Sequence, residues 1–188
     1  MTIVKNKHNY SISNSIRDEN KLYNDKFIEG LNIKEIEVFD FHKSIGNSVL
    51  KDNNPFETVW LKNIDRLCKM LPDSLNHKDY SVLDVGCGSG ISSLYFLERY
   101  NFQGIRGFDF STTLIELAMQ NKNLYLQSTQ QNTNLSFDIS DARDFKIDIN
   151  PHILFMFNPF EGEVLERFFS NNIKTLCETK SFLLYAND

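Results

Sequence analysis

The sequence predicts an α/β fold, a doubly wound and mainly parallel sheet with helices on both faces. Three observations lead there. From about residue 80 onward, short apolar runs alternate with helical patterns, the mark of right-handed βαβ units. The first of these runs stops at Gly86 and the fourth at Asn158–Pro159, where the crevice beyond the carboxyl ends of such a sheet binds ligands. Finally, 188 residues with 41% hydrophobic and 13% aromatic content supply one domain with enough material for a core.

The elements follow in order. Residues 1–53 read as an arm or lid region; the first 30 or so are polar and rich in Asn and Ser, end in Tyr23–Gly30 and carry one or two short ordered pieces. The domain proper spans residues 54–188. A helix begins at Asn54–Pro55, since proline suits a first-turn position. Val59, Trp60, Ile64, Leu67, Met70 and Leu71 then recur at helical spacing, and Pro72 closes it. Tyr80–Val85 is a buried strand and Ile91–Tyr100 a helix with Leu94 and Leu97 inward. Gly104–Asp109 is the second strand, and Ser111 caps a helix to about Lys122. Leu135–Ile139 is the third strand and His152–Phe157 the fourth; Glu163–Cys177 is helical, and Ser181–Ala186 is the fifth strand.

Composition excludes several classes. A charged fraction of 24% is ordinary for a folded protein, so wholesale disorder is not expected. A net charge of −5 disfavours a nucleic-acid partner held through phosphates. No apolar run approaches the ~18–20 residues of a membrane span, and no apolar h-region follows Lys7–His8. Cys68, Cys87 and Cys177 are too scattered for a disulfide framework or a zinc site and fit a reducing, cytoplasmic setting. His8, His42, His77 and His152 show no metal spacing, so no metal is expected; His42, in the lid region, is a candidate base.

The most informative stretch is Val82–Leu83–Asp84–Val85–Gly86–Cys87–Gly88–Ser89–Gly90. A buried strand runs through three alternate glycines directly into a helix. Glycine permits positive φ and close approach of a ligand to the backbone, and the helix start offers unpaired N–H groups. The dinucleotide fingerprint G-x-G-x-x-G fails, because Ile91 stands where the third glycine belongs. Asp109 ends the next strand, where a doubly wound nucleotide site places a carboxylate for ribose hydroxyls. That position alone fits a nicotinamide cofactor as well.

The nonapeptide resembles the first motif of class I S-adenosylmethionine-dependent methyltransferases. The resemblance implies a Rossmann-like sheet of order 3-2-1-4-5 and S-adenosyl-L-methionine as cofactor. It assigns Gly86, Cys87, Gly88 and Gly90 to the loop under the methionine part, Cys87 through its backbone. It assigns Asp84 to the ammonium group, Asp109 to both ribose hydroxyls and Phe110 to the adenine face. Asp141–Ala142 matches the pair that meets the adenine amino group and a ring nitrogen, with Asp144 as a competing choice. Phe157–Asn158–Pro159–Phe160 resembles the N/D/S-P-P-Y/F motif of amino-group methyltransferases, in which the aromatic residue stacks on a planar substrate. It has one proline rather than two, which places it nearer a bacterial branch with a single-proline N-P-F motif. Asn158 is the candidate for orienting the methyl acceptor; otherwise it belongs to a turn that ends the strand. In the same branch, Asp25–Lys26–Phe27 and Asn54–Pro55–Phe56 fall in the lid and substrate arm.

The family sheet continues to strands 6 and 7, whereas the fold expected here lacks these usual C-terminal strands. The fifth strand is therefore expected to present a bare apolar edge. A homodimer through that edge, an N-terminal segment folded over it, or a longer parent chain would each cover it. The expected activity is methyl transfer (EC 2.1.1.-) to an unidentified acceptor, small molecule or macromolecule. The alternatives are a cofactor-binding module without turnover, acting as regulator or partner subunit, and a nicotinamide-dependent oxidoreductase.

Overall fold

The computed structural model describes residues 2–5, 14–31, 33, 57–130 and 133–186. Its elements are β1 (Thr2–Lys5), α1 (Asn14–Gly30), α2 (Leu61–Cys68), a 3-10 turn (His77–Asp79), β2 (Ser81–Val85), α3 (Ile91–Arg99) and β3 (Gly104–Asp109). They continue with α4 (Thr112–Thr129), β4 (Leu135–Ile139), β5 (His152–Phe157), α5 (Gly162–Glu178) and β6 (Phe182–Ala186). One sheet of order β1-β6-β5-β2-β3-β4 holds all the described strands, and every pairing is parallel. The predicted order 3-2-1-4-5 is present as β4-β3-β2-β5-β6. Chain order reverses at β2, which lies between β3 and β5, so the binding crevice belongs at the carboxyl end of β2.

Both faces of the sheet are covered, which is why its strands read as continuous apolar runs. Successive strand side chains point to opposite faces. Val82, Ile153, Phe155 and Leu184 accordingly enter one core with α2 and α3 residues such as Ile64, Leu67 and Phe96. Leu83, Leu154, Met156 and Leu183 enter the other, against Phe160, Val164 and Phe168. The α1 helix lies on the first core through Tyr23, Phe27 and Ile28. Its Tyr23 hydroxyl meets the Tyr95 hydroxyl at 2.7 Å, and Tyr95 donates in turn to Asp65 at 2.8 Å.

The outer edge of β6 is not bare. β1 pairs along it, from Thr2 opposite Phe182 to Lys5 opposite Tyr185. Of the three covers expected from sequence, the chain uses its own N-terminal segment. The exposed edge on which the homodimer expectation rested is taken by β1.

The helix predicted from Pro55 starts at Leu61 instead; Asn54, Pro55 and Phe56 lie outside the described residues. The backbone at Trp60 is extended (φ −67°, ψ 112°) and no local side chain caps the helix. The cap comes from a distance. Buried Asn24 of α1 accepts from the Leu61 N–H at 3.0 Å and donates to the Val59 carbonyl at 2.9 Å. The helix also stops at Cys68, which leaves Met70 55% exposed rather than in the core. Asn24→Ala would strand a buried N–H and a buried carbonyl, and should lower the unfolding free energy by about 2 kcal/mol. Urea unfolding monitored at Trp60 reads this, and a loss under about 0.5 kcal/mol would mean that the Asn24 bonds do not hold the two helices together.

Candidate functional site

The site is built on three turns that meet at the carboxyl end of the sheet. The first follows β2, where Gly86, Gly88 and Gly90 have φ of 71°, 53° and 78°, a region that side chains disfavour. The Gly86 and Cys87 N–H groups both donate to the Phe108 carbonyl, at 2.9 and 3.0 Å. The loop is thereby tied to β3 before it enters α3. A β-carbon on Gly86 would lie 2.4 Å from Pro159 Cβ, and one on Gly90 would lie 2.6 Å from Phe137 Cζ. Two of the three glycines thus serve close packing within the protein, Gly86 under the β5 turn and Gly90 between helix and sheet. The Cys87 thiol is buried and burial pushes it well above the ordinary thiol range. Its carbonyl accepts from the Gly90 N–H at 2.9 Å.

Two carboxylates lie beneath this loop. Asp84, 2% exposed, accepts from the Ser92 and Ser93 hydroxyls, each at 2.6 Å. Burial pushes it up to about 6; the two hydroxyls pull it back and the Asp109 charge adds to the rise. Asp109, 7% exposed, accepts from the Gly88 N–H at 3.1 Å and from the Ser111 N–H at 2.9 Å, on different oxygens. Burial raises it too, against the backbone N–H groups of Ser111, Gly88 and Phe110. A carboxylate offers about four lone-pair sites, more than these backbone donors fill. Ser111 caps α4 as predicted, accepting from the Leu114 N–H at 3.3 Å, and Phe110 beside it is half-buried.

The other candidates are disposed less simply. Asp141 sits in the turn after β4, where it binds its own neighbour: the Arg143 N–H at 2.8 Å and the Arg143 guanidinium at 2.5–3.0 Å. That guanidinium holds the carboxyl below its usual range. Ala142 is buried, and Asp144 pairs outward with Arg167 at 3.0 Å. Asn158 is the first residue after β5 and has φ of 39°; its Oδ1 accepts from the Tyr185 hydroxyl at 2.9 Å. Phe160 is packed in the core. It is 4% exposed and lies edge-on to Phe168 at 5.9 Å, so the stacking role implied by the motif is not open to it.

Sequence reading missed Ser92, Ser93 and Tyr185. The serines had a signal, two hydroxyls in the first turn of a helix that starts beside a strand carboxylate. It also missed Asn121 of α4, which is fully buried and donates to the Ser89 carbonyl at 3.0 Å. In the lid motif, Asp25 pairs with Lys21 and Phe27 packs on Tyr95 at 5.1 Å. His77 stacks on Phe102 at 4.6 Å and His152 pairs with Asp148 at 2.9 Å, whereas His8 and the candidate base His42 lie outside the described residues. Among the described residues, no three His, Cys, Asp or Glu side chains gather as metal ligands, and no helix is long and apolar enough to cross a membrane.

Comparison with known proteins identifies the architecture. A family model described as a methyltransferase domain matches residues 76–173, just over half of the chain. No curated protein matches. Similar solved structures include the O-MT of StiE, 18% identical over 58% of this chain and 37% of that one, with a TM-score of 0.46. The YcgJ protein from Bacillus subtilis is 23% identical over 49% and 37%, with a TM-score of 0.36. The plantazolicin methyltransferase BpumL, solved with a monoazolic desmethylPZN analog and SAH, is 19% identical over 60% and 42%, with a TM-score of 0.42. The chain spans less than half the length of each of these structures.

The Asp84 environment makes a testable demand on stability. Its folded pKa of about 6 lies above the ordinary aspartate value of 3.8, so the folded state holds the proton more tightly. The stability this contributes is fully present below about pH 4 and is lost as the pH rises through about 6. Asp84→Asn has no charge to bury. Relative to wild type it should gain about 2–3 kcal/mol between pH 4 and pH 7, read as diverging melting curves. Curves that stay parallel would show that Asp84 is not a buried charge.

Proposed function

Because the chain belongs to the methyltransferase-domain family, we propose that it binds S-adenosyl-L-methionine at the carboxyl ends of β2, β3 and β4 and transfers its methyl group to an acceptor held near Asn158. The observation that carries this reading is Asp109. A carboxylate buried at the end of β3, holding the Gly88 and Ser111 N–H groups on different oxygens and with acceptor capacity to spare, suits a pair of vicinal hydroxyls. Bound there, the cofactor supplies an electrophilic sulfonium methyl, so the protein's contribution is mainly position and dryness.

The residues divide the work. Asp109 would take the ribose hydroxyls while holding Gly88 of the loop. Asp84, under the loop, would oppose the ammonium group with its negative charge, and the Ser92 and Ser93 hydroxyls keep that charge in place. Phe110 would line the adenine, and the Ala142 N–H would meet a ring nitrogen. Asp141 would receive the adenine amino group only by sharing a carboxylate that Arg143 already occupies. Such an exposed pair is worth about 0–1 kcal/mol, so the exchange is affordable but the gain is small. Asn158 would orient the acceptor.

The acceptor class follows from what surrounds Asn158. With Phe160 in the core, no stacking aromatic comes from the motif, which favours an acceptor other than a nucleobase. The acidic net charge points the same way. Cys68 and Cys87 are buried thiols outside any disulfide, which suits action in a reducing, cytoplasmic compartment. A binding module without turnover would take up the cofactor yet leave its methyl in place. A nicotinamide enzyme is disfavoured by the helix start at Ile91.

Calorimetry with S-adenosylhomocysteine tests the site. Asp109→Ala should weaken binding by about 1–3 kcal/mol, the scale of charged hydrogen bonds. Asp141→Ala should cost under about 1 kcal/mol, since Arg143 competes for the same oxygens. An Asp109→Ala variant that binds like wild type would remove the basis of the assignment.

A further inference from the structure

The turn after β5 is pinned at two points by packing, through Pro159 against Gly86 and through Phe160 in the core beside Phe168. The Tyr185 bond is of another kind, because it is made to the side-chain oxygen of Asn158. In the β5–β6 pairing, Tyr185 stands opposite Met156, and Asn158 is two residues further along. The Tyr185 ring leans forward along its strand to reach it. Asn158 itself is held at φ 39°, a region entered by few residues other than glycine and tolerated by asparagine. Strain of this sort in a binding crevice marks a side chain whose direction is being set.

We propose that Tyr185 is a positioning residue for methyl transfer: its hydroxyl fixes the Asn158 amide toward the acceptor side of the crevice. This rests on the methyl-transfer reading above. A hydroxyl bond to a side-chain amide adds little to a turn whose backbone is already packed on both sides. What it does determine is the rotation of the amide, and with it where the Asn158 polar atoms point. Burial, and then the Glu161 carboxylate, raise the Tyr185 hydroxyl above its ordinary range, so it remains a protonated donor at neutral pH. Glu161 is the residue just before α5.

The test needs no acceptor. Sinefungin carries an amine where the cofactor carries its transferable methyl, so its affinity relative to S-adenosylhomocysteine reads the acceptor side alone. Calorimetry on the full chain would compare wild type, Tyr185→Phe, Asn158→Ala and the double variant with both ligands. S-adenosylhomocysteine affinity should stay within about twofold throughout. Sinefungin affinity should fall about fivefold in each single variant, the scale of one hydrogen bond. It should fall no further in the double variant, because the two residues act through one bond. If Asn158→Ala lowers the ratio and Tyr185→Phe leaves it unchanged, the positioning role is overturned. If neither changes it, Asn158 does not face the acceptor and the proposal also falls. Should Tyr185→Phe fail to fold, Asn158→Ala decides on that second criterion, with its melting temperature as control. A wild type that binds neither ligand refutes the methyl-transfer reading itself, and the two failures are thus separable.

Discussion

An alanine at residue 86 would bring its β-carbon to 2.4 Å from Pro159 Cβ, far inside van der Waals contact, and the arrangement of the crevice follows from that exclusion. The glycine loop and the β5 turn occupy adjoining space only because one of them lacks a side chain. On its other side the loop is held by the Phe108 carbonyl, which takes two of its N–H groups, and by Asp109, which takes a third. Three turns from three neighbouring strands therefore form one unit. This unit can exist only where β2 lies between β3 and β5, at the reversal of strand order. The fold and the site are in this sense the same fact stated at two scales.

The electrostatics run against burial. Asp84 and Asp109 are both nearly inaccessible, each is raised chiefly by desolvation, and the charge of one raises the other. Folding would be better served by apolar residues of the same size. Around each, donors are supplied one by one: two serine hydroxyls for Asp84, backbone N–H groups for Asp109. The compensation is incomplete, and an incomplete compensation of negative charge is what a ligand bearing an ammonium group and hydroxyl donors can finish. Two buried carboxylates perturbed in this way and grouped at one crevice support the proposal of a binding site there.

Much of this was legible in the sequence because it is local. Strand order from β2 to β6 follows from apolar runs and right-handed crossovers; Ser111 announces its own cap; Asp84 and Asp109 stand at strand ends. What was not legible depends on contacts distant along the chain. The start of α2 at Leu61 rather than Pro55 is set by Asn24, in a helix that sequence periodicity barely marks. The cover of β6 comes from Thr2–Lys5, four residues whose pattern says little until the partner strand is known. The inward turn of Phe160 could not be read from a motif in which the homologous aromatic faces outward. No local signal links Tyr185 to Asn158, since the one is a hydroxyl at the end of an apolar strand and the other sits in a turn.

The inward turn of Phe160 bears on the role left to β6. Proline at 159 disfavours the right-handed helical region for the residue before it, and Asn158 stands at a positive φ of 39°, a region asparagine tolerates. Phe160 lies in the core beside Phe168. The polar capacity of this corner passes to Asn158 and, by its hydrogen bond, to Tyr185. A β6 at the open edge of the sheet would hold that hydroxyl loosely. Paired on one side with β5 and on the other with β1, where Lys5 stands opposite Tyr185, β6 becomes an interior strand and its tyrosine gains a fixed base. The N-terminal strand, remote from the crevice, thus bears on it through one register position and one hydroxyl.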